Sequence, residues 1–338
     1  MMGCTRNSRN DDSRIVSAGT SIGLVSAVIR AASDAEIRLY QRIDPATPCS
    51  AAPAVRLQTN NSRRRGAARP YSDRFVVEED HALWGCDLEK SVQDVGVVSA
   101  AVDARARDDI REHGFTRRGL PVDLDVARAL AELAHAAWSL PRDQYYEAGT
   151  RYRSLNRLRA RIVKDGVEIE PCDDSQPYVQ LKKYNTALGG QQRKYSPLPR
   201  EIADSAGVRK VIGHHLMYLP LSEVGKSYSV NMHVIRFAAT PSRPCDTSPA
   251  GLHKDGEKYL ATHLLARCGA QGGEVVITDN DKRERDRFTM REAGECYVFD
   301  DDRIWHMLTP VETSEGNQFA YRDTVTFDLL PDGWEASS

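Results

Sequence analysis

A short stretch in the second half of the chain carries an imidazole and a carboxylate two residues apart. His253 and Asp255 lie within Gly251–Gly256, which reads GLHKDG and has the pattern of a strand start. Side chains at positions i and i+2 of a strand project from the same face, so the two groups are expected side by side. A second imidazole, His306, follows 51 residues after Asp255, beyond another strand-like run.

Two histidines and one carboxylate on one side of a metal ion leave three coordination positions open. This ligand set is the facial triad of non-haem Fe(II) oxygenases. His253, Asp255 and His306 are therefore predicted to be catalytic metal ligands. The alternative from the residues alone is that His253 and Asp255 occupy a surface turn and His306 is a buried core histidine.

A third group follows on the next apolar run. Arg322 lies in the predicted strand Tyr321–Leu329, and the two-residue period places Thr324 and Thr326 on its face. A guanidinium beside a hydroxyl, close to a metal, suits a bidentate grip on a carboxylate. We predict that Arg322, with Thr324, anchors 2-oxoglutarate. The alternative is an arginine at the exposed edge of a strand.

The carboxy-terminal half resembles the bacterial 2-oxoglutarate/Fe(II) dioxygenases that hydroxylate free amino acids, the isoleucine dioxygenase type. The resemblance covers about residues 180–330 and extends loosely back to residue 95. One departure is the pair Lys258-Tyr259 after the HxDG motif, where an apolar aromatic pair is expected. The matching segments are Tyr184-Asn185, Gly189-Gly190, Arg193, Tyr195–Leu198, His233–Arg236, Pro249–Gly256, Gly272–Glu274, Asp279–Asp281, Asp301–Arg303, His306, Thr309-Pro310 and Tyr321–Asp323.

The resemblance implies an enzyme that binds Fe(II) through the HxD motif and the distal histidine, binds 2-oxoglutarate through the arginine, and uses O2. Its substrate would be a small free amino or imino acid, which needs a cation for its carboxylate and acceptors for its ammonium. Arg236 and Arg153 are candidates for the first role, and Glu257 and Asp279 for the second. His233, on the strand that leads into the metal motif, is a further candidate for the pocket wall.

The elements predicted around these residues are mainly short strands preceded by helices. Helices are expected at 102–113, at 124–138 after a cap at Asp123, and at 199–215. On the last of these, His214 and His215 point roughly 100° apart and are expected to be structural. The fold class predicted is mainly β with flanking helices (α+β), built on a double-stranded β-helix, or cupin-like jelly roll. The predicted strands are 152–162, 178–184, 228–237, 252–255, 259–266, 273–278, 287–290, 296–299, 304–308 and 319–329.

The predicted strand 152–162 carries four arginines, which are Arg153, Arg157, Arg159 and Arg161. Arginine is mostly exposed in folded proteins, so a solvated strand face is the simpler reading. The alternative is that one of them holds a substrate carboxylate.

Composition limits the class of protein. The 338 residues carry a net charge of −2, which gives no reason to expect nucleic acid or an anionic membrane as a partner. Seven scattered cysteines without a CxxC pair favour reduced thiols and a cytoplasmic location.

The first 88 residues differ from the rest of the chain. They are polar and rich in arginine, and we predict a weakly structured extension. The run Ile15–Ile29 also resembles a short signal-peptide core, although Asp11 and Asp12 precede it. Residues 89–338 are predicted to form the dioxygenase domain, with a helical part at 95–215 and a jelly-roll core at 176–332.

Two other classes of protein remain open on the sequence. One is a cupin-like metal-binding protein or hydrolase that uses the same ligands without 2-oxoglutarate, against which Arg322 and Thr324 count. The other is a non-catalytic jelly-roll module that binds a sugar or a partner.

Overall fold

A computed structural model describes residues 95–334 except 120, 147–149, 221 and 249–250. The predicted extension at 1–88, with its signal-like run, lies outside the described residues. Within the part of the chain that the structure describes, no helix is both long enough and apolar enough to span a membrane.

The helices precede or flank the strands, as predicted. They are α1 (Val95–His113), α2 (Leu124–Ala136), a 3-10 turn (Ala137–Ser139), α3 (Arg200–Ala203) and α4 (Ala206–Tyr218). Asp123 caps α2 by accepting the Val126 N–H at 3.0 Å, which stabilises a helix start. The single helix predicted at 199–215 is wrong, because Ser205 adopts an extended conformation and caps the separate helix α4.

Twelve strands follow among the described residues. They are β1 (Phe115–Thr116), β2 (Arg151–Val163), β3 (Gly166–Pro171), β4 (Ser227–Ala239), β5 (Tyr259–Cys268), β6 (Ala270–Gly272), β7 (Val275–Asp279), β8 (Glu284–Phe288), β9 (Cys296–Asp300), β10 (Ile304–Leu308), β11 (Val311–Thr313) and β12 (Ala320–Pro331). Two predicted strands are wrong. Residues 252–255 and 178–184 form only single bridges, His253 with His306 and Tyr178 with Arg193, and are otherwise loops and turns.

The strands form an antiparallel sandwich, which is the predicted jelly roll. A seven-stranded sheet has the order β1-β9-β5-β12-β4-β2-β3, and buried side chains of its strands β5 and β9 pack against those of a three-stranded sheet of order β10-β7-β8. A two-stranded sheet, β11-β6, lies beside them. Strands β2 and β3 precede residue 176, so the main sheet extends beyond the segment predicted as the core.

Strand β12 illustrates how the large sheet separates two environments. Its residues Tyr321, Val325, Phe327 and Leu329 join the core cluster that contains residues of α2 and α4. The alternate residues Arg322, Thr324, Thr326 and Asp328 line a cavity on the other face. The helices therefore cover one face of the sheet, and the polar side chains are left for the interior of the sandwich.

A pair of histidines lies in the core, away from the cavity. His215 of α4 and His263 of β5 are buried, and their Nε2 atoms are 2.7 Å apart. Burial lowers the pKa of His263 to about 4. Burial and the neighbouring His263 hold the pKa of His215 well below its ordinary value. His215 is thus structural, as predicted from its helical position.

These shifts make stability depend on pH. An unfolded histidine takes up a proton near pH 6.5, whereas folded His263 does so only near pH 4, so folding is progressively opposed as pH falls between these values. We expect the free energy of unfolding to drop between pH 7 and pH 4.5 by about 2 kcal/mol from His263 alone. Urea denaturation of the wild type and of His263→Gln at both pH values measures this contribution. Equal losses in the two proteins would contradict it.

Candidate metal and carboxylate site

The three predicted metal ligands converge at one end of the cavity. Asp255 Oδ1 lies 3.8 Å from His253 Nε2, and Oδ2 lies 3.4 Å from His306 Nε2. One ligand atom from each residue lies within 4.8 Å of the others. Within the described residues this is the one group of three such side chains close enough to share a metal ion.

Backbone contacts bring the three residues together. His306 lies on β10, and its backbone exchanges two hydrogen bonds of 3.0 Å with His253. The loop that carries Asp255 is held by Asp301, whose carboxylate accepts the N–H groups of Asp255 and Gly256 at 3.1 and 2.8 Å. Gly256 has φ +82°, and a Cβ there would lie 2.5 Å from the Tyr184 ring. The glycine of the HxDG motif is thus required by backbone conformation and by close packing.

Hydrogen bonding sets which nitrogen of His253 faces the centre. Its Nδ1 lies 2.8 Å from the Gly251 carbonyl oxygen, so Nδ1 carries the proton and Nε2 keeps a lone pair. Burial and then His306 lower the pKa of His253. Burial would also raise the pKa of the Asp255 carboxyl, but the hydrogen bond and charge of His306 hold it below its ordinary value. A neutral imidazole beside an ionised carboxylate suits a divalent cation.

Asp255 is also held from the loop that follows β3. Gln180 Nε2 donates to Asp255 Oδ1 at 3.0 Å, and Gln180 Oε1 accepts from Arg193 and Asn185 at 2.8 and 2.9 Å. Arg193 is fully buried. This chain of hydrogen bonds fixes the orientation of the carboxylate, which is the usual function of groups that surround metal ligands.

Arg322 is a buried cation of the cavity wall that forms no ion pair within the described residues. It is 2 % exposed, and neither Nε nor Nη2 has a hydrogen-bond partner among the described residues. Burial lowers the pKa of its guanidinium to about 10, which leaves it charged near neutral pH. Thr324 follows on the same face of β12, as predicted, and both residues line the cavity with the three predicted ligands. A buried cation without a counter-ion is costly, so this geometry fits an incoming carboxylate.

Only some of the other predicted site residues lie in the cavity. Arg153 and His233 line the cavity. Arg236 does not, because it lies on the helix-covered face of β4 and makes a bidentate ion pair with Asp323, at 2.8 and 2.7 Å. Its guanidinium also lies 3.8 Å from the centre of the Trp138 ring, so its assignment to substrate is wrong.

The two carboxylates predicted to accept an ammonium also lie elsewhere. Glu257 is buried outside the cavity lining, and burial and Asp328 raise its pKa well above the ordinary value. Asp279 ends β7 and accepts the N–H groups of Asp281 and Arg283 in a turn. The arginines of strand 152–162 were predicted to form a solvated face. Arg161 is exposed, in agreement with this prediction, whereas Arg153 is buried.

Several cavity residues were not predicted. Asp328 lies six residues after Arg322 on β12, so the two-residue period of a strand already indicates that both side chains project from the same face. Gln180 and Tyr178 lie in loops, where no periodicity indicates orientation. The remaining cavity wall is apolar and aromatic, and includes Ile235, Phe237, Leu260, Tyr297, Phe299 and Leu308.

A comparison with known families agrees with this geometry. The model of the 2OG-Fe dioxygenase family matches residues 135–328, a segment that contains His253, Asp255, His306 and Arg322. The chain is 28 % identical over 161 residues to the L-isoleucine-4-hydroxylase of Bacillus thuringiensis. It is also 28 % identical over 153 residues to the 3(1)-hydroxy-L-isoleucine 4-dioxygenase of Pantoea ananatis.

These alignments cover 46 % and 44 % of the chain, and 66 % and 62 % of the two relatives' own lengths. Among solved structures, a BsmA homologue from Methylobium petroleophilum superposes with a TM-score of 0.59 at 23 % identity, covering 70 % of this chain and 96 % of the other. IDO from Bacillus thuringiensis superposes with a TM-score of 0.55 at 19 % identity, covering 68 % and 96 %. At such identities the structural likeness supports the fold.

Proposed function

Because the chain belongs to the 2OG-Fe dioxygenase family, we propose that it hydroxylates an unactivated C–H bond of a free amino or imino acid. Fe(II) would be held by His253, Asp255 and His306, and 2-oxoglutarate by Arg322 and Thr324. The names of the two curated relatives, both of which act on isoleucine or its hydroxylated form, support this substrate class.

One observation carries the proposal. The unpaired guanidinium of Arg322 opens into the same cavity as the three clustered ligand side chains. A metal-binding protein or hydrolase needs the ligand cluster but has no use for a buried, uncompensated cation beside it. A dicarboxylate cosubstrate that reaches from the metal to Arg322 accounts for both features.

Fe(II) held by these three residues, together with 2-oxoglutarate and O2, would supply the oxidising chemistry for inserting one oxygen atom into the substrate with release of succinate and CO2. The residues of this chain position the reactants. Arg322 fixes one carboxylate through a planar pair of donors, and Thr324 lies beside it for a further hydrogen bond. The cavity wall also contains Phe237, Tyr297 and Phe299, and such apolar surroundings lower the local dielectric constant, which strengthens these electrostatic contacts.

Oxygen consumption by the full-length protein tests the proposal. Fe(II) and 2-oxoglutarate together should support O2 uptake and succinate formation, and a panel of free amino and imino acids should raise the rate with at least one member. Mass spectrometry of the same reactions should find a gain of one oxygen atom in that member. Metal-dependent turnover without 2-oxoglutarate would favour the cupin-like hydrolase, and binding without turnover would favour a non-catalytic module.

The proposed activity also determines which binding partners are expected. The substrate is a small molecule, and no role for nucleic acid or membrane is proposed. A cytoplasmic location, inferred from the scattered cysteines, stays a prediction. The described cysteines Cys172, Cys245, Cys268 and Cys296 form no disulfide bond with one another.

A further inference from the structure

The cavity has a second polar end, on the opposite side of β4 from Arg322. Arg153 of β2 pairs in register with Ile235 of β4, which in turn pairs with Thr324 of β12. Two strand spacings therefore separate Arg153 from Thr324, and Arg322 lies two residues further along β12, which places the Arg153 and Arg322 positions about 12 Å apart along the floor of the cavity. This separation leaves room for one small molecule at each end.

Arg153 is buried and presents a free donor at its end of the cavity. Its Nε and Nη2 lie 3.3 and 2.9 Å from His233 Nδ1, and its guanidinium lies over the Tyr195 ring at 4.7 Å. Nη1 makes no hydrogen bond within the described residues. The neighbouring Arg151 is already paired with the buried carboxylate of Asp143 at 2.9 Å, so Arg153 is the cavity-lining arginine of this strand that forms no direct ion pair within the described residues.

A neutral histidine connects Arg153 to a carboxylate. Burial and Arg153 lower the pKa of His233 to about 4, so its Nδ1 accepts from Arg153 and its Nε2–H donates to Asp328 Oδ2 at 2.9 Å. Tyr178 Oη lies 3.4 Å from the same oxygen. Asp328 Oδ1 accepts no hydrogen bond from any described residue, and Asp328 lines the cavity.

The imidazole thus holds a cation and an anion apart. Two hydrogen bonds and the width of the ring separate the guanidinium of Arg153 from the carboxylate of Asp328 by about 8 Å. An α-amino acid whose own carboxylate and ammonium each make one hydrogen bond spans a similar distance. Both protein charges keep one unused hydrogen-bonding atom, so each is available to a ligand charge of opposite sign.

We propose that Arg153 binds the carboxylate and Asp328 the ammonium of a free α-amino acid, with His233 as the positioning residue between them. This rests on the proposed function and specifies how it selects its substrate. Arg153 and Asp328 take the roles predicted for Arg236, Glu257 and Asp279, because Arg236 is paired with Asp323 and the two carboxylates lie outside the cavity lining. An N-acylated amino acid or a simple amine would leave one buried charge unpaired, and sites of this kind reject such analogues strongly.

The test uses full-length protein loaded with Fe(II) and 2-oxoglutarate and measures succinate. Three probe pools are compared: the twenty protein-forming L-amino acids, the same pool N-acetylated, and the corresponding decarboxylated amines. We expect stimulation by the first pool alone. Equal stimulation by the N-acetylated pool would overturn the role of Asp328, and equal stimulation by the amines would overturn that of Arg153. No succinate with any pool would instead overturn the proposed function.

Variants test the individual residues on the amino acid that the first pool identifies. Asp328→Asn keeps the shape but removes the charge and should raise the KM for the amino acid at least about thirtyfold. The KM for 2-oxoglutarate should change far less than the KM for the amino acid. Asp332→Asn removes a half-exposed carboxylate just beyond the same strand and is the matched control. An unchanged KM for the amino acid in Asp328→Asn would mean that Asp328 serves His233 alone. The comparison of pools needs no variant and decides the proposal if Asp328→Asn fails to fold.

Discussion

Replacing Asp255 by alanine is expected to reduce hydroxylation at least about a hundredfold while leaving the fold intact. Altering groups that only surround a metal ligand costs 10–100-fold in affinity or activity, so loss of a ligand itself should cost at least the upper figure. The two remaining imidazoles would hold Fe(II) weakly. Succinate and product formation, measured across a range of Fe(II) concentrations, check the loss.

The control for this variant removes a carboxylate that contacts no cavity residue. Asp281 is 69 % exposed and pairs with Arg283 at the surface, so Asp281→Ala should behave like the wild type. Circular dichroism of both variants should match that of the wild type. Hydroxylation by Asp255→Ala at the wild-type rate would mean that Asp255 is not a metal ligand.

Replacing Arg322 by alanine is expected to raise the KM for 2-oxoglutarate by tens to thousands of fold. Removing one partner of a buried, charge-assisted pair costs about 2–5 kcal/mol, because the other charge is left unpaired. Each 1.4 kcal/mol is about tenfold. Arg322→Lys should recover only part of the loss, since an ammonium does not reproduce the planar pair of donors. Steady-state kinetics with 2-oxoglutarate as the varied substrate measure both changes.

The matched control for Arg322 is the buried arginine on the opposite face of the same sheet. Arg236→Ala should destabilise the protein, because Asp323 would be left buried and unpaired, but the KM for 2-oxoglutarate should not change. Fe(II) affinity should be little affected in either variant. Equal weakening of iron, amino acid and 2-oxoglutarate in Arg322→Ala would mean that Arg322 supports the sheet and that the cosubstrate is anchored elsewhere.

The site residues that can be predicted from sequence are those whose type and spacing along the chain indicate their chemical role. The HxD motif, the distal His306 and the Arg322–Thr324 pair follow from short-range pattern, and the structure brings all five side chains to one cavity. The sequence itself argues against Arg236 as a residue of the same cavity as His233. His233 and Arg236 are three residues apart on one strand, so a two-residue period places them on opposite faces.

Other features depend on contacts that local sequence does not encode. The hydrogen bond from Gln180 to Asp255 joins a loop to a motif 75 residues away. The connection of Arg153 to Asp328 through His233 requires three strands in one order. The motif at 252–255 alternates as a strand does, and this alternation predicts a strand where the structure has a loop. Its left-handed glycines, Gly251 and Gly256, end that alternation.

The most direct test of the central claim is a reaction in ¹⁸O2 with Fe(II), 2-oxoglutarate and the free amino acid that gives the fastest succinate formation. We expect hydroxylated amino acid and at least an equal amount of succinate, each with one labelled oxygen atom, and loss of both products when 2-oxoglutarate is omitted. An amino acid product that forms without 2-oxoglutarate, or that carries no label from O2, would contradict the assignment of this cavity to a 2-oxoglutarate-dependent hydroxylase.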